Sequence, residues 1–229
     1  EIDKVLQQHG DPINFEPTYT SFWPAFGIDN KYGQKHKGHI PAKLIQNILF
    51  FYSNPGDIIL DPFAGGGTVQ DVCNDMVNRV CYSYDLNPVS PKIEFHDIRE
   101  GAPSCEKEPN FIFLDPPYGP QKKDEYSHSK DDLANLPVNE FLDEMEKIFG
   151  YWKKGILVLL MGGMRKKGEY TDLPFECLKR MQNQGWKIAE RIVNEIGHPA
   201  SDSAMWEEKQ KKDRLILHRH IDIIIGRKL

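Results

Sequence analysis

Several features are scarce in this 229-residue chain, and each scarcity excludes a class of protein. The four cysteines, Cys73, Cys81, Cys105 and Cys177, show no Cys-x-x-Cys spacing, which argues against a disulfide framework or a zinc site and favours a reducing cytosol. No apolar run approaches the roughly 18 residues of a membrane-spanning helix, and no signal peptide is recognisable. The net charge is −5, so nucleic acid binding would need a local basic face. We therefore expect a cytoplasmic protein without a metal site or a membrane partner.

Apolar patterns of strand and helix alternate along the chain. The predicted helices cover 41–52, 69–77, 138–152 and 174–184, and the predicted strands cover 57–60, 80–84, 93–97, 111–114, 156–161, 186–193 and 221–225. Only the last two strands have no helix between them. This alternation predicts an α/β fold with a mostly parallel, seven-stranded sheet, helices on both faces and an antiparallel last strand. Residues 1–38 are predicted to form an N-terminal arm, and 39–229 a single domain.

The ends of the predicted strands carry the candidate functional groups. In a parallel sheet the carboxyl ends of the strands share one rim, where ligands bind. The strand at 57–60 runs into Asp61-Pro62-Phe63-Ala64-Gly65-Gly66-Gly67-Thr68, and the strand at 111–114 runs into Asp115-Pro116-Pro117-Tyr118. The polar segment 119–136 and the charged segment 194–214 are too long for ordinary connections and are predicted as loops on the same rim.

The glycine-rich turn suits a nucleotide-like cofactor. Its three glycines let the backbone approach a ligand closely, and the N-terminus of the following helix favours oxygen-rich groups. No lysine follows the glycines, which argues against a P-loop. Asp85 ends the next strand, where a carboxylate can bind ribose hydroxyls. An ordinary tight turn, and a turn-capping role for Asp85, remain the alternatives.

The Asp-Pro-Pro-Tyr turn suits a planar base that carries an amino group. The lone pair of such a nitrogen is delocalised into the ring, so the amine is a poor nucleophile. Asp115 and the Pro116 carbonyl can accept both N–H bonds, the prolines hold that carbonyl in place, and Tyr118 can stack on the base. A duplex hides this nitrogen, so the base would have to be flipped out. The alternative is that Asp-Pro-Pro merely opens a loop.

In motif, order and interval, residues 36–229 resemble the S-adenosylmethionine-dependent DNA amino-methyltransferases that act on adenine N6 or cytosine N4. The resemblance implies a Rossmann-like class I methyltransferase fold and S-adenosyl-L-methionine as the cofactor. It implies that the catalytic residues are Asp115, Pro116, Pro117 and Tyr118. It also implies that the cofactor is held by His39, Pro41, Asp61, Pro62, Phe63, Gly65, Gly67, Thr68, Asp85, Leu86, Asp97 and Ile98.

The activity implied is site-specific methylation of adenine N6 in duplex DNA through a flipped base. Cytosine N4, an RNA amine and a cofactor-binding subunit that needs a recognition partner are the alternatives. No target-recognition domain is recognisable, so we expect specificity to come from the arm, from the two rim loops, or from a recognition subunit; a cognate nuclease is a further expected partner. Candidate substrate contacts are Lys122, Lys123, Tyr126, Arg165, Lys166 and His198, with a solvated face or packing as their other roles.

Overall fold

The computed structural model describes residues 15–34, 38–76, 78–118, 132–166, 168–197, 208, 211–212, 214, 216 and 218–229. The strands are β1 Phe22–Trp23, β2 Ile58–Asp61, β3 Val80–Asp85, β4 Glu94–Phe95, β5 Phe111–Leu114, β6 Gly155–Met161, β7 Met164–Lys166, β8 Glu169–Thr171, β9 Lys187–Glu195 and β10 His220–Lys228. The α-helices are α1 Ala42–Tyr52, α2 Thr68–Asp75, α3 Val138–Phe149 and α4 Leu173–Asn183, and short 3₁₀ turns cover Ile98–Glu100 and Leu133–Asn135. No helix in these residues is long and apolar enough to cross a bilayer.

The main sheet has eight strands in the order β1-β9-β10-β6-β5-β2-β3-β4. β10 runs antiparallel to both of its neighbours, and the other pairs are parallel. The predicted fold class and the antiparallel last strand are confirmed. The additional strand is β1, in the arm, which pairs with β9 through Phe22 and Trp23. Two residues are too short to show the alternation that identifies a strand, so the sequence predicted one strand fewer.

The central strand β5 shows how the sheet is buried on both faces. Successive side chains of a strand point to opposite faces. Phe111 and Phe113 pack with α1, α2 and Trp23 on one face, whereas Ile112 and Leu114 pack with α3 and α4 on the other. All four side chains are inaccessible to solvent. A parallel sheet that is covered on both faces requires such a continuous apolar run, which is why this strand was recognisable in the sequence.

A short hairpin follows β6, in a segment for which the sequence predicted neither a helix nor a strand. β7 and β8 pair with each other through Met164 and Thr171 at one end and Lys166 and Glu169 at the other. Gly168, at φ +87°, lies in the loop that joins them. The hairpin projects from the carboxyl rim of the sheet, next to the candidate site.

Candidate active site

Three neighbouring parallel strands end in carboxylates. β2 lies between β3 and β5. Asp85 is the last residue of β3, Asp61 is the last residue of β2, and Asp115 directly follows β5. Adjacent strands lie about 4.8 Å apart, so the sheet itself gathers these three acids, which are distant in sequence. A concentration of negative charge on this rim favours a ligand that carries positive charge.

Asp61 is the most deeply buried of the three, with 1% of its surface exposed. One carboxylate oxygen accepts a hydrogen bond from the Phe63 N–H at 3.2 Å. Burial raises the pKa of the Asp61 carboxyl well above its usual range, and the charges of Asp85 and Asp115 raise it further, against the effect of the Phe63 N–H. A carboxylate in such a place is stabilised when a cationic group lies next to it.

Hydrogen bonds between neighbouring strand ends shape the glycine-rich turn. The Gly65 N–H donates to one carboxylate oxygen of Asp85 at 2.8 Å, and the Asn87 N–H donates to the other at 2.8 Å. Gly67 has φ +85°, a left-handed conformation that glycine adopts without strain, and it begins α2. The turn therefore depends on Asp85 for its position, and each Asp85 oxygen keeps a lone pair that a ligand hydroxyl could use.

The arm packs over this turn. The Gln34 N–H donates to the Gly66 carbonyl at 2.8 Å, and the Gly33 N–H donates to the Asp71 carboxylate on α2 at 2.9 Å. A Cβ at Gly33 would strike the Thr68 hydroxyl, and one at Gly66 would strike the Gln34 carbonyl. The contribution of residues 33–34 was missed by sequence reasoning, because only the folded chain brings them to the turn.

Two clefts open at this rim and share two residues, Phe63 and Asp115. The wide cleft encloses about 620 Å³, part of it open to solvent, and is lined by Pro62, Phe63, Gly65, Asp85, Leu86, Asn87, His96, Asp97, Ile98, Arg99, Asp115, Pro117, Asp132 and Leu133. The narrow cleft encloses about 270 Å³ and is lined by Gly38, His39, Ile40, Asp61, Phe63, Ala64, Gly66, Thr68, Val69 and Asp115. Together they form an elongated depression that passes the head of the Asp-Pro-Pro-Tyr turn.

Most of the predicted cofactor residues lie in these walls. Two of the predicted cofactor residues, and two of the predicted catalytic residues, do not line either cleft. Pro41 precedes α1, and Gly67 precedes α2, where each begins its helix. Pro116 is buried, and Tyr118 is half-buried with its ring against Gly162.

Five lining residues of the wide cleft were not predicted as site residues: Asn87, His96, Arg99, Asp132 and Leu133. Arg99 binds Asp97, donating from its Nε at 3.0 Å and its Nη2 at 2.5 Å, and this contact lowers the pKa of the Asp97 carboxyl. The Arg99 backbone N–H donates to the same carboxylate at 3.0 Å. Asp97 is therefore an ionised carboxylate in the cleft wall, held in position by Arg99.

Asp132 lines the wide cleft and has one carboxylate oxygen without a partner among the described residues. Only 2% of the residue is exposed. One oxygen accepts the Ala134 N–H at 3.0 Å, whereas the other is buried and has no hydrogen-bond partner in the part of the chain that the structure describes. Buried polar atoms in native proteins nearly always have partners, so this oxygen marks a place where a bound ligand could donate a hydrogen bond. The signal available in the sequence was a lone acid before an apolar residue, which is too common to be informative.

The predicted substrate residues are only partly described. Lys122, Lys123, Tyr126 and His198 lie outside the described residues, and Lys166 is described only as the end of β7. Arg165 lies on β7, where its Nη1 donates to the Gly168 carbonyl at 3.0 Å and its guanidinium carbon lies 5.8 Å from the centre of the Tyr170 ring. It is therefore on the hairpin next to the Asp-Pro-Pro-Tyr turn, outside both clefts.

Comparison with known proteins finds a family model and curated relatives that each match part of the chain. Residues 5–91 match the family model described as DNA methylase, of the N6 and N4 type. The chain is 40% identical over 58 residues to the Type II methyltransferase M.HpaI of Haemophilus parainfluenzae, which covers 25% of this chain and 18% of that protein. It is 28% identical over 113 residues to the Type II methyltransferase M.BglII of Bacillus subtilis, covering 48% of this chain and 29% of that protein. The aligned parts thus span less than a third of either relative.

Among solved structures, TrmN from Thermus thermophilus is similar in fold, with a TM-score of 0.52 and 17% identity, covering 84% of this chain and 50% of that one. The family match includes the whole Asp61–Thr68 turn and ends before the Asp-Pro-Pro-Tyr turn. S-adenosyl-L-methionine is the methyl donor of this family, and a cationic sulfonium and ammonium fit the acidic rim. Residues 5–91 are thus similar to the N6/N4 DNA methylases, and the sheet has the Rossmann-like fold seen in TrmN.

Proposed function

We propose that this chain is the catalytic domain of a DNA amino-methyltransferase that transfers a methyl group from S-adenosyl-L-methionine to N6 of adenine. The observation that carries the proposal is the meeting of the two clefts at Phe63 and Asp115. The cofactor turn forms one side of this meeting point and the head of the Asp-Pro-Pro-Tyr turn forms the other. A methyl donor in the clefts and an amine at Asp115 would therefore be neighbours.

The donor set of the clefts fits the cofactor. In the wide cleft, Asp85 would bind ribose hydroxyls, Leu86 and Ile98 would contact the adenine ring, and Asp97 and Asp132 would accept hydrogen bonds. In the narrow cleft, His39, Asp61 and Thr68 surround the space for the methionine end. The carboxylates around Phe63 would stabilise the positive charges of the cofactor, because charges attract strongly where solvent is partly excluded. The bound cofactor supplies a methyl group already activated by its sulfonium.

The Asp-Pro-Pro-Tyr turn would prepare the target amine. Asp115 and the Pro116 carbonyl would accept the two N–H bonds, which draws the nitrogen towards tetrahedral geometry and frees its lone pair. Proline fixes φ near −65°, so the carbonyl is oriented before the base arrives. Tyr118 rests on Gly162 at the end of β6 and would stack on the extruded base. An aspartate at the head of the turn is the form commoner among adenine enzymes, which favours adenine over cytosine N4.

The site would act on duplex DNA, and we propose a recognition subunit or a cognate nuclease as its partners. The Type II names of the relatives motivate this proposal. The decisive experiment incubates the protein with unmethylated genomic DNA and S-adenosylmethionine, and identifies the product by nucleoside mass spectrometry. We expect N6-methyladenine. N4-methylcytosine would overturn the choice of base, and methylation of total tRNA in preference to DNA would overturn the choice of substrate. Cofactor binding without any methylation would overturn the assignment of catalysis to this chain by itself.

Asp115→Ala is the matched variant for this assay. Removing a preorganised polar group from the reacting amine should lower turnover by about 100-fold or more. Cofactor affinity should change by less than about threefold, because Asp61, Asp85 and Asp97 would still hold the cofactor. Isothermal titration with S-adenosylhomocysteine and single-turnover kinetics separate the two effects. A variant that lost cofactor affinity but kept its turnover would show that Asp115 does not hold the amine.

A further inference from the structure

Two aromatic rings from distant parts of the chain stack beside the candidate active site. The ring of Tyr170, on β8, lies parallel to that of His218, just before β10, with the ring centres 4.5 Å apart and the planes 4° apart. Tyr170 is 43% exposed. Large aromatic residues usually stabilise a fold by being buried, so an exposed stack adds little to the core. His220 extends the group, its ring centre 6.0 Å from that of His218.

The stack is connected to the Asp-Pro-Pro-Tyr turn through two consecutive glycines. After β6 the chain continues through Gly162 and Gly163. A Cβ at Gly162 would lie 2.5 Å from the Tyr118 hydroxyl, and a Cβ at Gly163 would strike the Tyr170 ring. Consecutive Cα atoms are 3.8 Å apart, so the ring of the catalytic turn and the first ring of the exposed stack rest on adjacent residues. The antiparallel pairing of Asp222 with Met161 brings the start of β10, with its histidines, to this same end of β6.

Arg165 places a positive charge beside the stack that could contact an anionic partner, although Asp172 and Asp222 are also near. The guanidinium of Arg165 lies beside the Tyr170 ring, and its Nε is buried without a hydrogen-bond partner among the described residues. Arg191 is already paired with the buried Asp222 at 2.7 Å. Burial, together with the nearby Arg165 and His220, lowers the pKa of His218, although Asp172 opposes this. The His218 imidazole is thus uncharged at neutral pH, the form that stacks on a base without the cost of desolvating a charge.

We propose that Tyr170, His218 and Arg165 form a stacking platform for the DNA strand next to the flipped target base. Nucleic acid binding of this kind combines aromatic side chains, on which unpaired bases stack, with basic groups that contact the backbone. A base that is flipped out exposes the faces of its neighbours in the stack, and the platform lies one residue beyond the ring that would hold the flipped base. The inference rests on the proposed function, and it adds the place where the flanking nucleotide binds.

The test measures DNA binding separately from methylation. The full chain, saturated with S-adenosylhomocysteine, is titrated into a fluorescein-labelled single strand of about 20 nucleotides and its duplex, with fluorescence anisotropy as the readout. Tyr170→Ala and His218→Ala each lose one base–aromatic stack, so each should bind the single strand about tenfold more weakly than the wild type. Tyr170→Phe keeps the ring, and its affinity should stay within about twofold of the wild type. Arg165→Gln should reduce the slope of log affinity against log salt by about 1.

Tyr19→Ala is the matched control. Tyr19 is 72% exposed and makes an edge-to-face contact with Phe51 at the end of α1, which lies near the start of β6 and not near its carboxyl end. Its loss should leave DNA binding unchanged. Unchanged DNA binding by Tyr170→Ala would overturn the platform. No DNA binding by the wild type, or a preference of the wild type for RNA, would overturn it as well. An equal loss of S-adenosylhomocysteine affinity in Tyr170→Ala would show that Tyr170 has a structural role instead. Wild-type protein that binds the strand through Tyr170 but methylates no DNA would leave the platform standing and overturn the proposed function.

Discussion

At the residue scale, the central feature is a carboxylate that the fold buries at a cost. Asp61 ends a strand between Asp85 and Asp115 and is almost completely shielded from water. Its pKa is raised by burial and by its acidic neighbours. Natural proteins accept such a cost where function requires it, and a cationic cofactor would offset it. Stability and cofactor binding should therefore respond in opposite directions when this charge is removed.

We predict that Asp61→Asn stabilises the ligand-free protein and weakens cofactor binding. A group whose pKa is raised by folding contributes stability below its unfolded pKa, and that contribution is lost as pH rises through the folded pKa. At neutral pH the asparagine avoids this loss, so the melting temperature should rise by about 2–4 °C, the effect of ~1 kcal/mol in a domain of this size. The gain should vanish below about pH 4, near the unfolded pKa of an aspartate. Calorimetry across this pH range checks it.

Binding provides the second readout for the same variant. S-adenosylmethionine affinity of the wild type should fall as pH decreases through the Asp61 pKa, because the protonated acid no longer attracts a cation. Affinity of Asp61→Asn should be about 10- to 100-fold weaker at neutral pH, the effect of one hydrogen bond to a charged group, and nearly independent of pH. If the variant bound the cofactor as the wild type does, Asp61 would have no part in holding it.

Asp132 offers an independent test of the wide cleft. The carboxylate oxygen that has no partner among the described residues should receive a hydrogen bond from the bound cofactor. In Asp132→Asn the oxygen that accepts the Ala134 N–H can be kept, while the other position becomes an N–H₂ donor. We expect the melting temperature of the free protein to change little and the dissociation constant for S-adenosylhomocysteine to rise about tenfold. A large loss of stability with unchanged affinity would assign Asp132 to the fold alone.

At the element scale, the segment after β6 connects the sheet with the Asp-Pro-Pro-Tyr turn. Gly162 is a buried glycine whose Cα faces the Tyr118 ring. The position of that ring therefore depends on the end of the central strand β6. Strand ends are more rigid than loops, and a substrate pocket built on one holds its geometry closely. The two glycines were visible in the sequence, but the ring that each one supports was not.

We predict that Gly162→Ala lowers turnover by about tenfold, because a 1 Å displacement of a positioning group has effects of this order or larger. The added methyl group would displace the Tyr118 ring without reaching the clefts, so affinity for S-adenosylhomocysteine should stay within about twofold. Gly27→Ala is the control, since a Cβ there meets nothing within 4 Å. Equal turnover rates for the two variants would show that the position of the Tyr118 ring does not affect catalysis.

At the scale of the whole molecule, the arm and the sheet meet at the glycine-rich turn of the proposed cofactor site. Residues 33 and 34 bond to Asp71 and Gly66, while Trp23 is buried beside β9 and the Asn194 side chain donates to the Pro24 carbonyl at 2.9 Å. The arm therefore contributes both an edge strand and a cover for the glycine-rich turn. A ligand that fills the clefts should stabilise the arm and the sheet together.

We predict that S-adenosylhomocysteine at 100 times its dissociation constant raises the melting temperature in one cooperative transition. Mass action gives about 2.7 kcal/mol of stabilisation, or about 5–10 °C for this size of domain. Hydrogen exchange should show slower exchange at the amides of Gly33, Gln34 and Gly65 together. Protection limited to the glycine-rich turn would show that the arm is not coupled to the cofactor.

The local sequence was sufficient for much of this description. Continuous apolar runs such as Phe111–Leu114 identify buried parallel strands, because only a sheet covered on both faces needs them. The order of strands and helices then predicts that Asp61, Asp85 and Asp115 meet on one rim, and the structure brings them together. Glycine and proline are typical of turns because of their backbone conformations, so the glycine-rich turn and the Asp-Pro-Pro-Tyr turn were recognisable as well.

The remaining features depend on contacts between segments that are far apart in the chain. A two-residue strand carries no periodicity, so β1 exists only because β9 offers it an edge to pair with. The unsatisfied oxygen of Asp132, the position of Gly33 and Gln34 over the turn, and the Tyr170–His218 stack each arise from packing between such segments. The sequence by itself determined the layered sheet and the chemistry of its rim, since these follow from local patterns and covalent geometry. Only the tertiary structure decided which side chains share a cleft, because burial and pairing across the chain have no local signature.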